Sequence, residues 1–107
     1  MTSARSTAAK RTVPATSANI RVQRVQTGIR VERRLLKVLK GIAEYHDLTL
    51  GDLLEGVCLH AIEGKLPFGK ETVALAAELK RLYGLDLDAT ASHRMMEATP
   101  ARRERKR

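Results

Sequence analysis

The side chains best suited to covalent or metal chemistry in this chain are His46, His60, His93 and Cys58. Nucleophilic catalysis needs a nucleophile beside a base, and a metal needs several ligands at a spacing that lets one site gather them. The three histidines share no such spacing with Cys58 or with paired acids. Cys58 falls on an apolar stripe, where a thiol behaves as a small hydrophobe, and His60 sits beside that stripe as a packing or surface histidine. No phosphate-binding loop and no zinc pattern is present. The chain is therefore not expected to be an enzyme, and no cofactor or metal is expected.

What remains is electrostatic. The 107 residues carry 20 Lys and Arg against 12 Asp and Glu, a net charge of +8, and the charge is segregated. Residues 1–43 hold ten basic side chains and one acid, Glu32, for +9; residues 44–98 stand at −5; residues 99–107 stand at +4. A basic front half joined to an acidic back half suits a polyanion at one end, although two solubilising tails on a near-neutral core would read the same way. Aromatic residues make up only 3% and there is no Trp, which leaves little material for a deep pocket in so short a chain. That points to a binding module that oligomerises. The lone cysteine excludes an intramolecular disulfide framework and fits a reducing compartment. The longest apolar run, Val73 to Ala77, is far short of the roughly 18 residues of a membrane span.

The elements that position these charges are set by periodicity. Residues 1 to 21 are rich in Ser, Thr, Ala and Arg and contain no acid, which predicts a disordered basic arm. An organelle transit peptide has a similar composition, but Pro14 and the scattered Thr residues spoil its amphipathic helix. Val25, Thr27, Ile29 and Val31 then alternate with Arg24, Gln26, Gly28 and Arg30, a period of two that predicts a half-buried strand weakened by Gly28. From Glu32 to about Tyr45 the period becomes helical, with Leu35, Leu36, Leu39, Ile42 and Ala43 apolar and Arg33, Arg34, Lys37 and Lys40 on the wet side. Thr49 at N-cap and Asp52 three residues on resemble a capping box, and Leu48 and Leu53 stand at the positions of a hydrophobic staple. That second helix has a core stripe of Leu53, Leu54, Val57, Cys58, Ala61 and Ile62 and a natural end at Gly64. Its internal Gly51 and Gly56 call for a packing or close-approach reason. A third helix is predicted from about Lys70 to Tyr83, and a last short one from a cap at Asp88 to about Ala98. The basic tail 99–107 is expected to be disordered.

A lone strand has an unsatisfied edge, and two amphipathic helices are too few to close a core; pairing two copies answers both needs. Residues 24–64, read as strand, helix, D-L-T turn and capped second helix, resemble the ribbon-helix-helix fold of the Arc, MetJ and CopG type repressors. The resemblance implies a mostly α fold in which the strand pairs across a homodimer into an antiparallel ribbon, with a DNA-binding domain over 22–64 and a helical extension over 65–98. The implied dimer core is Val25, Ile29, Val31, Leu35, Leu39, Ile42, Leu53, Leu54, Val57 and Cys58.

The family reads the major groove of double-stranded DNA with outward strand residues, here Arg24, Gln26, Gly28 and Arg30. Arg30 has the donor geometry for guanine O6 and N7, and Gln26 for adenine N6 and N7. Gly28 departs from the family's polar central residue and supplies no side-chain readout. The N-terminus of the second helix, Thr49, Leu50 and Gly51, stands where the family clamps a phosphate, and Arg33 and Arg34, with Lys37 beside them, are placed to reach flanking phosphates. Asp52 in the same turn opposes such a contact. The implied function is a small, cytoplasmic, nucleoid-associated bacterial transcriptional regulator of repressor type. Two alternatives stand beside it. One is an antitoxin with residues 65–98 binding its toxin, since many members of the family carry such an extension. The other is a dimeric protein-interaction module that never touches DNA. The bland role of residues 65–98 is to pack on the core.

Overall fold

The computed structural model describes residues 19–98. The sequence-predicted disorder of residues 1–18 and of the tail 99–107 lies outside the described residues. Glu32 opens the first helix, α1 (Arg33–Tyr45), by accepting the Leu35 N–H in its side chain at 2.8 Å. This satisfies one of the donors that every helix start leaves without an internal partner. Thr49 does the same for α2 (Leu50–Ile62), its Oγ1 accepting from the Asp52 N–H at 3.1 Å. The third helix, α3 (Lys70–Tyr83), starts after Gly69 with no side-chain cap.

All three helices stop by one device. A left-handed residue follows the last turn (Asp47, Gly64 or Gly84), and the next N–H reaches back to a carbonyl five residues earlier. The three bonds run from Leu48 to Ala43, Lys65 to His60 and Leu85 to Lys80, each at 2.8 Å. They satisfy the orphan carbonyls of the final turns.

The core gathers around α1. Val38, Ile42 and Ala43 from α1, Leu53 from α2 and Leu85 after α3 are buried, with Ile42 only 1% exposed. Leu35, Leu39, Val57, Phe68, Leu75, Ala76, Leu79 and Leu87 pack around them. α2 and α3 each pack on α1 and not on each other. At Gly41 an added Cβ would lie 2.9 Å from Leu79 Cδ1, so the missing side chain lets α1 and α3 approach closely.

Polar ties fix the antiparallel register of these two helices. At one end the His46 ring nitrogen Nε2 lies 2.8 Å from Oγ1 of the buried Thr72, and the Tyr45 hydroxyl donates to Glu71. At the other, Arg34 donates to the Gly84 carbonyl at 2.8 Å.

Three sequence expectations differ from the structure. No strand exists among the described residues; residues 19–31 run without regular structure and are exposed throughout. Val25 is 83% and Ile29 73% exposed. The fold is helical, and the ribbon-helix-helix expectation does not hold for it. Alternation describes side chains, whereas a strand needs a second row of backbone N–H and C=O groups. The rest of the described residues form helices and the loops around them and offer no such row. The core that α1 and α2 alone leave open is completed by α3 and Leu85 of the same chain, and not by the second copy expected for that purpose. The helix predicted from Asp88 to Ala98 is a single 3-10 turn, Ala89–Ala91. Asp88 caps it by accepting the Thr90 N–H at 3.0 Å, and left-handed His93 follows soon after it.

Candidate nucleic-acid interface

Arg24, Gln26, Gly28 and Arg30 lie together in the irregular segment 19–32, and all four are exposed. The guanidinium groups of Arg24 and Arg30 are engaged. Arg24 donates through Nε and Nη2 to the two oxygens of Glu55, both at 2.8 Å, and Nη2 lies 3.4 Å from Asp52 Oδ1. The hydrogen bonds to Glu55, and then its charge, raise the already high pKa of Arg24. The same bonds hold the Glu55 carboxyl below the usual carboxylate range. Arg30 donates from Nη2 to Glu97 at 2.8 Å.

The residues assigned to phosphate divide. Arg33 is exposed and begins a basic edge of α1 that continues through Lys37 and Lys40. These positions share one face at helical spacing. Lys37 also sets its Nζ 5.6 Å over the Tyr83 ring. Arg34 points into the fold instead. Its Nε donates to Glu32 at 3.0 Å and its Nη1 to the Gly84 carbonyl and to Asp86 at 3.1 Å. It is a tie between α1 and the end of α3, with its Nε and Nη1 donors spent within the fold.

At the start of α2, Thr49 Oγ1 is committed to the cap, while the N–H groups of Leu50 and Gly51 are the first of the helix and have no intrahelical partner. Asp52 and Glu55 share that end, and Arg24 bridges them. An anion approaching there meets two carboxylates partly neutralised by one guanidinium.

The residues expected in a dimer core also separate. Ile42 and Leu53 are buried, and Leu35, Leu39 and Val57 pack on them, all within one chain. Leu54 is half-buried, whereas Val25, Ile29, Val31 and Cys58 are exposed. Ala61 and Ile62, read from the sequence as part of a core stripe, are exposed as well, Ile62 at 80%. α2 is apolar on nearly every face yet buries only Leu53 fully. Neither Gly51 nor Gly56 meets a close neighbour within the chain, so the close-approach reason expected for them is not found there.

Sequence reasoning missed Glu55 and Glu97 as partners of the arginines. They lie 31 and 67 residues away from them, and no local pattern links residues so far apart. It also missed Arg34 as a tie, because its sequence neighbours on the wet face share its chemistry. His60 Nδ1 lies 2.7 Å from the Gly56 carbonyl one turn back, and among the described residues no three His, Cys, Asp or Glu side chains gather as a metal site. Among the same residues no helix is long and apolar enough to cross a membrane. Compared with family models, curated proteins and solved structures, the chain matches none of them.

Proposed function

We propose that this chain is a homodimeric, sequence-specific DNA-binding regulator that meets the duplex with its basic N-terminal half. The observation that carries this reading is the segment 19–31. It presents Arg21, Arg24, Gln26 and Arg30 to solvent on a backbone that no helix or strand immobilises. Phosphate attraction draws such a segment to DNA, and Arg and Gln then have the donor geometry to discriminate bases. Arg33, Lys37 and Lys40 extend the positive surface along α1. The dimer is supported by α2, whose exposed Leu59 and Ile62 add to the exposed Val25 and Ile29. A helix apolar on most of its surface is stable when another surface covers it.

The antitoxin reading receives less support. Leu75, Leu79 and Leu85, from the segment that would hold a toxin, are committed to the chain's own core. The apolar surface of α2 by itself favours the interaction module that never touches DNA.

Selection from a random duplex pool at two salt concentrations separates these readings. The proposal expects a short inverted repeat, because a two-fold dimer presents the same segment twice. It also expects enrichment to persist at the higher salt. Unselective binding that disappears with salt would leave only the basic segments acting as counterions, and would favour the interaction module.

A further inference from the structure

The arginines assigned to DNA are already bound, each by a carboxylate from the acidic half of the same chain. We propose that Glu55, assisted by Asp52, is an internal competitor for Arg24: an autoinhibitory contact that a duplex must displace. Arg30 is held by Glu97 through a single donor, six residues further along the segment. The inference rests on the DNA-binding reading above.

Geometry is the first support. Arg24 spends its Nε–Nη2 edge on both oxygens of Glu55, and the same Nη2 faces Asp52. Guanine O6 and N7, or a phosphate, ask for the same two parallel donors. The guanidinium cannot make this contact and a second one along that edge at once. Base contact by that edge therefore requires release from Glu55.

The second support is the lack of other anchors. Among the described residues, the hydrogen bonds that join 19–31 to the rest of the chain are those of Arg24 to Glu55 and Asp52 and of Arg30 to Glu97. The segment is held on the body through the groups it would offer to DNA.

Strength is the third. In both pairs about half or more of each side chain is open to solvent. Exposed pairs of this kind are weak and reversible, whereas a duplex presents a dense row of phosphates with releasable counterions. Such a contact biases the segment and yields to the polymer.

The test measures the affinity of the full chain for the duplex enriched from the random pool and for a scrambled duplex. It compares wild type, Glu55→Gln, Arg24→Ala and the double variant at one salt concentration. Competition predicts that Glu55→Gln binds roughly two- to fivefold tighter, and that most of this gain is lost when Arg24 is already Ala. Simple repulsion between Glu55 and DNA predicts an equal or larger gain in the Arg24→Ala background, which would overturn the proposal. So would weaker or unchanged binding by Glu55→Gln, which would make Glu55 a residue that positions Arg24. The Arg24 Nε–H resonance gives an independent readout in the free protein. It should be that of a bonded guanidinium in wild type and of a freely solvated one in Glu55→Gln, with helix content unchanged; a solvated signal in wild type overturns the clamp. If neither wild type nor Glu55→Gln enriches any duplex, the DNA-binding reading fails and the clamp with it. If wild type enriches one and Glu55→Gln gains nothing, the clamp alone fails.

Discussion

Arg33 and Arg34 are adjacent in sequence, and only Arg33 faces solvent. Arg34 reaches three acceptors at once: the Glu32 carboxylate, the Gly84 carbonyl and the Asp86 carboxylate. Lysine keeps the charge but cannot span that fork. Arg34→Lys is therefore expected to lower the melting temperature by roughly 4–8 °C while leaving the salt dependence of DNA binding unchanged. Arg33→Ala should do the reverse, sparing the fold and flattening the salt dependence by about one phosphate contact. Thermal melts and salt titrations of the two variants check both. The cap residue Glu32 carries a pH prediction. The Leu35 N–H, with Arg34 adding to it, holds its carboxyl below the ordinary value of 4.5. A depressed folded-state pKa gives stability that is complete above the ordinary carboxylate range and lost as pH falls through the folded value. Glu55 is depressed too and acts in the same window, and Asp88, depressed from its ordinary 3.8, adds to the loss at lower pH. Melting temperature should be level near neutrality and decline below about pH 4.5. Glu32→Gln should start lower and decline less steeply.

The helices were the legible elements. Thr49, Gly64 and the Lys70–Tyr83 span are recognisable because caps and helical spacing are local signals. Asp47 is less visible: its left-handed backbone (φ 61°) forms the end of α1 without a glycine to mark it. Asp47→Gly should stabilise the fold by up to about 1 kcal/mol in denaturant titration, since glycine adopts that conformation without steric cost. The segment 24–31 shows the limit of local reading. Its alternation is genuine, but whether it forms a strand depends on a partner that pattern alone cannot supply. The pairing of α1 with α3 was equally hidden. Which apolar stripe faces which is decided by shape, here by Gly41 under Leu79. The candidate site was legible as a set of cations and not as a set of contacts, because Glu55 and Glu97 come to Arg24 and Arg30 only through the fold.

For the whole molecule, α1 is the hub on which the other two helices depend. Ile42 lies at its centre, and Ile42→Ala should cost about 2–5 kcal/mol, enough to unfold much of so small a domain. Ile62 and Leu59 contribute exposed apolar surface and little to the core of a single chain. Changing both to Asp should leave helix content intact and shift the sedimentation of the chain at micromolar concentration from dimer to monomer. A wild-type chain already monomeric there would remove the homodimer from the proposal. The segregation of charge, +9 over residues 1–43 and −5 over residues 44–98, gives the molecule a polarity that, under the proposed reading, suits both attraction to DNA and its internal restraint.

The most direct measurement is the ratio of affinities for an enriched duplex and a scrambled one, at fixed salt, for wild type and for the variant carrying Gln26→Ala and Arg30→Ala together. Reading of bases by the exposed segment predicts that the ratio falls at least about tenfold while affinity for the scrambled duplex changes far less. A ratio that survives both substitutions would contradict it.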